Sequence, residues 1–166
     1  MSSEFDPLSK YFFDENSESE VSRYVIIHRR LTLMTSLYRL NAQYSFFKSV
    51  VGHPRVIPPE IDIAHVSRVI DVATGTGAWA LDFVSLPEVQ KSNIQVYACD
   101  ISSEKFLKGN ESAVQQIAFF QHDVAKPFPE ELLGTFDLVN QSFLSYALTS
   151  QGWEKALQNL RSLLSE

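Results

Sequence analysis

At 166 residues, with 45% apolar and 20% charged residues, the chain is long enough for one globular domain with a sizeable core and too short for two comfortable ones. A net charge of −6 argues against a general nucleic-acid binder, which carries a basic field. The single cysteine, Cys99, excludes an intrachain disulfide and suits a reducing compartment.

The N-terminal MSSEFDPLSK has neither a basic nor an apolar leader region, so no signal peptide is expected. No run of about 18 apolar residues predicts a membrane span. The cytosol is the expected setting, with the nucleus also open. Residues 1–20 hold six acids (Glu4, Asp6, Asp14, Glu15, Glu18, Glu20) against Lys10, which reads as a solvated arm. Phe5, Tyr11, Phe12 and Phe13 interrupt it and point to partial docking. Residues 20–39 predict a helix, with Val21, Tyr24, Val25, His28, Leu31, Thr35 and Tyr38 at three- and four-residue steps. A second helix is expected over roughly 41–51, ending at Gly52. HPRVIPP, residues 53–59, is a linker, because three prolines in seven residues block a regular element. The expected organisation is an arm and helical cap over 1–57 and a core over 58–166.

From there apolar runs alternate with helical patterns. Strands are expected at 67–72, 94–99, 117–121 and 136–140. Helices are expected near 77–85, 103–108 and 111–115 and over 150–164. The last places Trp153, Ala156, Leu157, Leu160, Leu163 and Leu164 on one face. Strands apolar nearly throughout, separated by helices, predict an α/β fold with a parallel sheet covered on both faces and right-handed crossovers.

The stretch VIDVATGTGAWALDF carries the chemistry. A strand that ends in Gly75-Thr76-Gly77 and feeds a helix lets the backbone pass close to a ligand, and its free amides favour an anionic group. Gly75, Gly77 and Ala80 also satisfy G-x-G-x-x-A, which an NAD-type oxidoreductase would share. Three acids bear on the choice. Asp71 ends the first strand, where a carboxylate suits a cationic amine. Asp100 ends the second, where it can accept both hydroxyls of a ribose, a signal common to both ligand classes. Asp123 follows the third, in reach of an adenine amine, with Val124 to pack on the ring. An amine, a ribose and an adenine describe S-adenosylmethionine better than NAD.

The chain here resembles the class I S-adenosylmethionine-dependent methyltransferases, a Rossmann-like fold with sheet order 3-2-1-4. Asp71-Val72-Ala73-Thr74-Gly75-Thr76-Gly77 matches their acid-led glycine loop, with Ala73 where many members have glycine. TGTGAWALDF, Thr74 to Phe83, is similar to fungal secondary-metabolism and velvet-complex methyltransferases. Glu20-Val21-Ser22-Arg23 with His28 resembles their E-x-x-R…Q-H-like helix, and FDLVNQSFLSYAL with WEKALQNLRSLL resembles their fourth strand and next helix. The resemblance implies that S-adenosyl-L-methionine is the cofactor. Asp71 would organise its amino group, and Gly75 and Gly77 would admit the backbone. Asp100 would hold the ribose, with Ile101 against the adenine. Asp123 and Val124 would frame that ring, and Asn140 and Gln141 would lie near the sulfonium. Ala73, Thr74 and His122 complete the implied cofactor set, and no metal ligands are read.

Blander roles compete at several of these positions. Asp100 or Asp123 alone is also a helix cap, Trp79 and Cys99 read as core, and Asn140 reads equally as a satisfied buried amide. His28 is a candidate general base, although a histidine on a helix face is more often structural. Nine of the twenty aromatics precede residue 50, and they read as packing with some lining an apolar substrate cavity.

The chain stops at Ser165-Glu166, before the fifth to seventh strands that the resemblance implies, which leaves the apolar fourth strand at an edge. A homodimer or a complementing chain over that edge is therefore expected. The functional expectation is methyl transfer to an O, N or S of a small, largely apolar acceptor in fungal secondary metabolism. The alternative is a truncated, non-catalytic relative that binds cofactor or a partner chain.

Overall fold

The computed structural model describes residues 18–50, 56–107, 112–144 and 147–165, with side chains from residue 31 onward. Two units divide the chain, Met1–Ser36 and Leu37–Glu166. What is described of the first is its share of helix α1, Glu18–Val50, where Thr35 Oγ1 donates to the Leu31 carbonyl.

The second unit begins with the rest of α1. One helix therefore stands where the sequence suggests two, 20–39 and 41–51. The physical reason lies at Asn41. No glycine or proline interrupts residues 37–50, and the Asn41 side chain is spent on Thr76, whose Oγ1 donates to it at 2.6 Å. Asn41 thus leaves the backbone ladder intact instead of capping a new helix. Gly52, the expected stop, lies outside the described residues.

The core elements follow in chain order: β1 (Arg68–Val72), α2 (Ala78–Val84), α3 (Pro87–Gln90), β2 (Gln95–Asp100), α4 (Ser112–Gln115), β3 (Ile117–Gln121), β4 (Leu138–Gln141) and α5 (Ser150–Leu163). The four strands form one parallel sheet in the order β3-β2-β1-β4, the order that the resemblance implies. Among the described residues of the helix expected over 103–108, one 3₁₀ turn forms, at Ser103–Lys105.

Alternation along the strands builds two apolar layers. Val69, Val96, Ala98 and Ile117 pack with Trp79, Ala80, Phe83 and Val84 of α2 on one face. Ile70, Val72 and Cys99 pack with Val124, Phe128, Phe136 and α5 residues Ala156 and Leu163 on the other. Cys99 is thus a core residue, and burial pushes its thiol up to about 12. The α5 face is narrower than its apolar pattern suggests, since Leu157 and Leu164 stay exposed.

The register fixes the site. Parallel strands of similar length end together, and the cross-strand partners Asp71↔Asn140 and Asp100↔Gln121 lie at that end. At the opposite end, the Asp137 carboxylate accepts from the amides of Ser67 and Arg68 and ties the approach to β4 onto the start of β1. Phe136 and Leu164 form an isolated parallel bridge at the foot of β4.

Candidate functional site

The loop after β1 is a series of left-handed residues: Ala73 at φ +59°, Gly75 at +60° and Gly77 at +85°. Such backbone favours glycine, so Ala73 carries the steric cost that a glycine there avoids. A Cβ on Gly77 would meet the Phe119 ring at 2.9 Å, so this turn also needs glycine for space. The loop is tied to β2 by Thr74 N–H to the Cys99 carbonyl (2.9 Å) and closed on itself by Gly77 N–H to the Thr74 carbonyl (2.9 Å).

Three carboxylates gather where the strands end. Asp71 is almost fully buried; it accepts from Thr74 Oγ1 at 2.5 Å and from Asn140 Nδ2 at 2.7 Å. Burial is the main reason its pKa is raised to about 6, with the Asp100 charge adding to it and the two hydrogen bonds opposing it. Asp100, 6% exposed, accepts from Gly75 N–H at 2.9 Å and Ser102 N–H at 3.0 Å. Lys105 Nζ stands 3.5 Å from Oδ1, the oxygen that also accepts from Ser102. Asp123 accepts from Ala125 N–H at 3.0 Å, which is the turn-forming role open to any aspartate there, and leaves its other oxygen 4.0 Å from Lys126 Nζ.

These groups share one cavity of about 420 Å³, in the range of small-molecule sites. Of the sequence-predicted residues, Asp71, Ala73, Thr74, Gly75, Asp100, Ile101, His122, Asp123 and Val124 line it. Ile101 is exposed there, Val124 is mostly buried against the core, and His122 stacks on Phe128 with ring centroids 4.1 Å apart. Gly77, Asn140 and Gln141 are not in the lining. Gly77 sits one step behind at the start of α2, Asn140 is turned onto Asp71, and Gln141 pairs beside Val72. His28 falls on α1 among the residues whose side chains are not described.

Sequence reasoning missed a second group of lining residues: Arg39, Gln43 and Tyr44 of α1, Lys105, and Ser142, Phe143 and Leu144 after β4. Arg39 and Gln43 are one helical turn apart and in contact at 3.4 Å, a spacing that was legible; dividing the helix between them hid it. Leu40 lies beside the glycine loop, with its Cδ1 3.3 Å from where a Gly75 Cβ would stand. Phe143 has φ +61°, a conformation that costs a bulky residue about 1–3 kcal/mol and clusters at functional sites. A larger, more open groove of about 760 Å³ runs between α1 and α2. Three of its polar side chains are spent on one another, since Tyr44 Oη (2.8 Å) and Lys48 Nζ (2.5 Å) both donate to Asp82 Oδ2.

The arrangement can bind a nucleoside with a cationic appendage: a carboxylate at each of three strand ends, and a loop that admits close backbone approach. A family model described as a methyltransferase domain matches residues 69–166. The N-methyltransferase tcpN of Claviceps purpurea is 27% identical over 126 residues, covering 75% of this chain and 43% of that protein. The methyltransferase psoC of Aspergillus fumigatus is 26% identical over 137 residues, covering 82% and 48%. The chain spans less than half the length of these curated relatives. Among solved structures, the glycopeptide N-methyltransferase MtfA complexed with (S)-adenosyl-L-methionine is 18% identical, with 60% of this chain and 43% of that one covered and a TM-score of 0.46. With the family model matched from β1 onward and a 3-2-1-4 parallel sheet beneath the acid-led glycine loop, this chain belongs to the class I S-adenosylmethionine-dependent methyltransferases.

Proposed function

We propose that the cavity at the strand ends holds S-adenosyl-L-methionine and that the chain takes part in methyl transfer to an O, N or S of a small, largely apolar acceptor of fungal secondary metabolism. The observation that carries this is the convergence of Asp71, Asp100 and Asp123 on one cavity. The donor set fits the cofactor. Asp71 offers a buried negative group for the amino group of the methionine part. Asp100 keeps lone pairs for ribose hydroxyls beyond those used by Gly75 and Ser102. Asp123 and Val124 frame the adenine, with Ile101 on its face. The cofactor supplies a methyl group already activated by its sulfonium. The chain's own task is to orient that cofactor and the acceptor in line and to exclude water, and orientation of this kind contributes about 7–11 kcal/mol. Residues 58–166 form the cofactor-binding core in this reading, and its setting is the cytosol.

Thermal unfolding with S-adenosylhomocysteine, the demethylated product, tests the reading. A ligand at about 100 times its dissociation constant stabilises by about 2.7 kcal/mol. A clear upward shift with this nucleoside and none with NAD is the expected outcome; the reverse pattern would assign the glycine loop to an oxidoreductase. Labelled-methyl turnover on candidate acceptors separates an enzyme from a cofactor-binding, non-catalytic relative.

The outer side of β4 also enters this reading. Among the described residues β4 pairs only with β1, apart from the Phe136–Leu164 bridge at its foot, so its outer backbone groups suit a second copy or a complementing chain. Light scattering checks this, and a monomer whose β4 amides exchange freely with solvent would count against it.

A further inference from the structure

Building on the cofactor reading above, we propose that Phe143, Phe47 and Phe46 form an aromatic shelf at the cavity mouth that seats a planar, aromatic methyl acceptor. Phe143 lines the cavity in its left-handed conformation and is 40% exposed. Phe47 packs edge-on against it, with ring centroids 4.8 Å apart at 62°, and Phe46 continues the row at 6.2 Å and 89°. None of the three belongs to either core layer, and Phe46 and Phe47 are 62% and 45% exposed. They are therefore ordered against one another without serving the core.

Their placement continues the site. Arg39, Gln43 and Phe47 recur at four-residue steps on α1, so Phe47 extends the stripe whose first two members line the cavity. The cavity is thus acidic at the strand ends and aromatic at the mouth. Carboxylates suit the hydroxyls and amine of a nucleoside, whereas half-exposed phenyl rings already in edge-to-face contact suit one more flat ring. The shelf is continuous with the cavity through Phe143, and this favours a small molecule that reaches inward over a protein lying across the surface.

Calorimetric titration of the full chain, with and without saturating S-adenosylhomocysteine, tests the shelf with 2-naphthol and its saturated counterpart decahydro-2-naphthol. The flat alcohol should bind about fivefold tighter than the puckered one. Phe47→Ala, at a position outside the cavity lining, should remove most of that preference while S-adenosylhomocysteine affinity stays within about twofold, and Phe143→Gly should remove it as well. Phe143→Gly relieves the positive φ, so this variant is expected to fold. Equal affinity for the two alcohols, or a preference unmoved by both variants, overturns the shelf. So does Phe143→Gly dissociating a dimer without touching naphthol binding, which would make the rings a contact between copies. Failure of the wild-type chain to bind S-adenosylhomocysteine overturns the cofactor reading instead.

Discussion

Three glycines with positive φ provide a graded test of what the loop after β1 requires. Gly134 has φ +64° and nothing within 4 Å of an added Cβ. Gly134→Ala therefore reports the left-handed conformation alone, about 1–2 kcal/mol, reduced by the lower entropy of the unfolded alanine chain. Gly75→Ala adds a 3.3 Å contact with the terminal carbon of Leu40, a flexible group that gives way easily. Gly77→Ala places its methyl 2.9 and 3.0 Å from two atoms of the Phe119 ring. That ring also packs on Phe106 with centroids 5.1 Å apart, so moving it disturbs a second contact. Overpacking of this kind costs a further 1–3 kcal/mol or so, giving a total of about 2–4 kcal/mol. Against a typical stability of about 5–15 kcal/mol this is a large change. Urea denaturation followed by tryptophan fluorescence measures each variant by its midpoint. The expected order of cost is Gly134, then Gly75, then Gly77. In Gly77→Ala/Phe119→Leu the combined cost should fall short of the sum by about 1 kcal/mol, because the smaller side chain removes the overlap. A Gly77→Ala cost no greater than that of Gly134→Ala would refute the argument that Phe119 limits this turn.

Asp100→Ala should both weaken S-adenosylhomocysteine binding and lower stability by about 1–3 kcal/mol, since it strips the acceptor from the Gly75 and Ser102 amides. An unchanged melting temperature would refute a structural role for these two hydrogen bonds. Asp71 should make stability fall with rising pH. Its folded-state value, about 6, lies above the ordinary 3.8, so the native chain holds this proton more tightly than the unfolded one. The Asp71 contribution is complete below about pH 4 and is lost as pH rises through 6, on the order of 3 kcal/mol by pH 7. Asp71→Asn should flatten that part of the curve, and a slope identical to the wild type would refute it. A cationic amine beside Asp71 favours the ionised form, so S-adenosylhomocysteine should bind more tightly at pH 7 than at pH 5. Isothermal titration at the two values checks this, and equal affinities would count against an amine at Asp71.

The two halves of the cavity were not equally legible. The half built on the strand ends was readable because each of its features is local in the chain. An apolar run followed by an acid predicts a strand end, and glycines at two-residue spacing predict a left-handed turn. The alternation of strands and helices then brings successive strand ends to one rim. The half built on α1 and the segment after β4 was not readable in the same way. Arg39 and Phe143 are far apart in sequence, and nothing near either states that both line one cavity. Dividing α1 between Arg39 and Asn41 hid the stripe of Arg39, Gln43 and Phe47. Only the bond from Thr76 shows why Asn41 does not cap a new helix.

Asn140 shows the same boundary within one residue. Its position at a strand end was evident, but its partner depends on the register between β1 and β4, which sets Asn140 beside Asp71. The amino-acid sequence determined the α/β class and the carboxylate at each of three strand ends, because periodicity and turn chemistry act over a few residues, while the strand order was implied by the family resemblance of the glycine loop. The tertiary structure decided which lone pairs those carboxylates have already spent and which aromatic rings face the cavity. The bonds from Gly75 to Asp100 and from Asn140 to Asp71 join residues 25 and 69 apart, and the Phe47–Phe143 contact spans more still; chain connectivity alone leaves such distances free until the core packs.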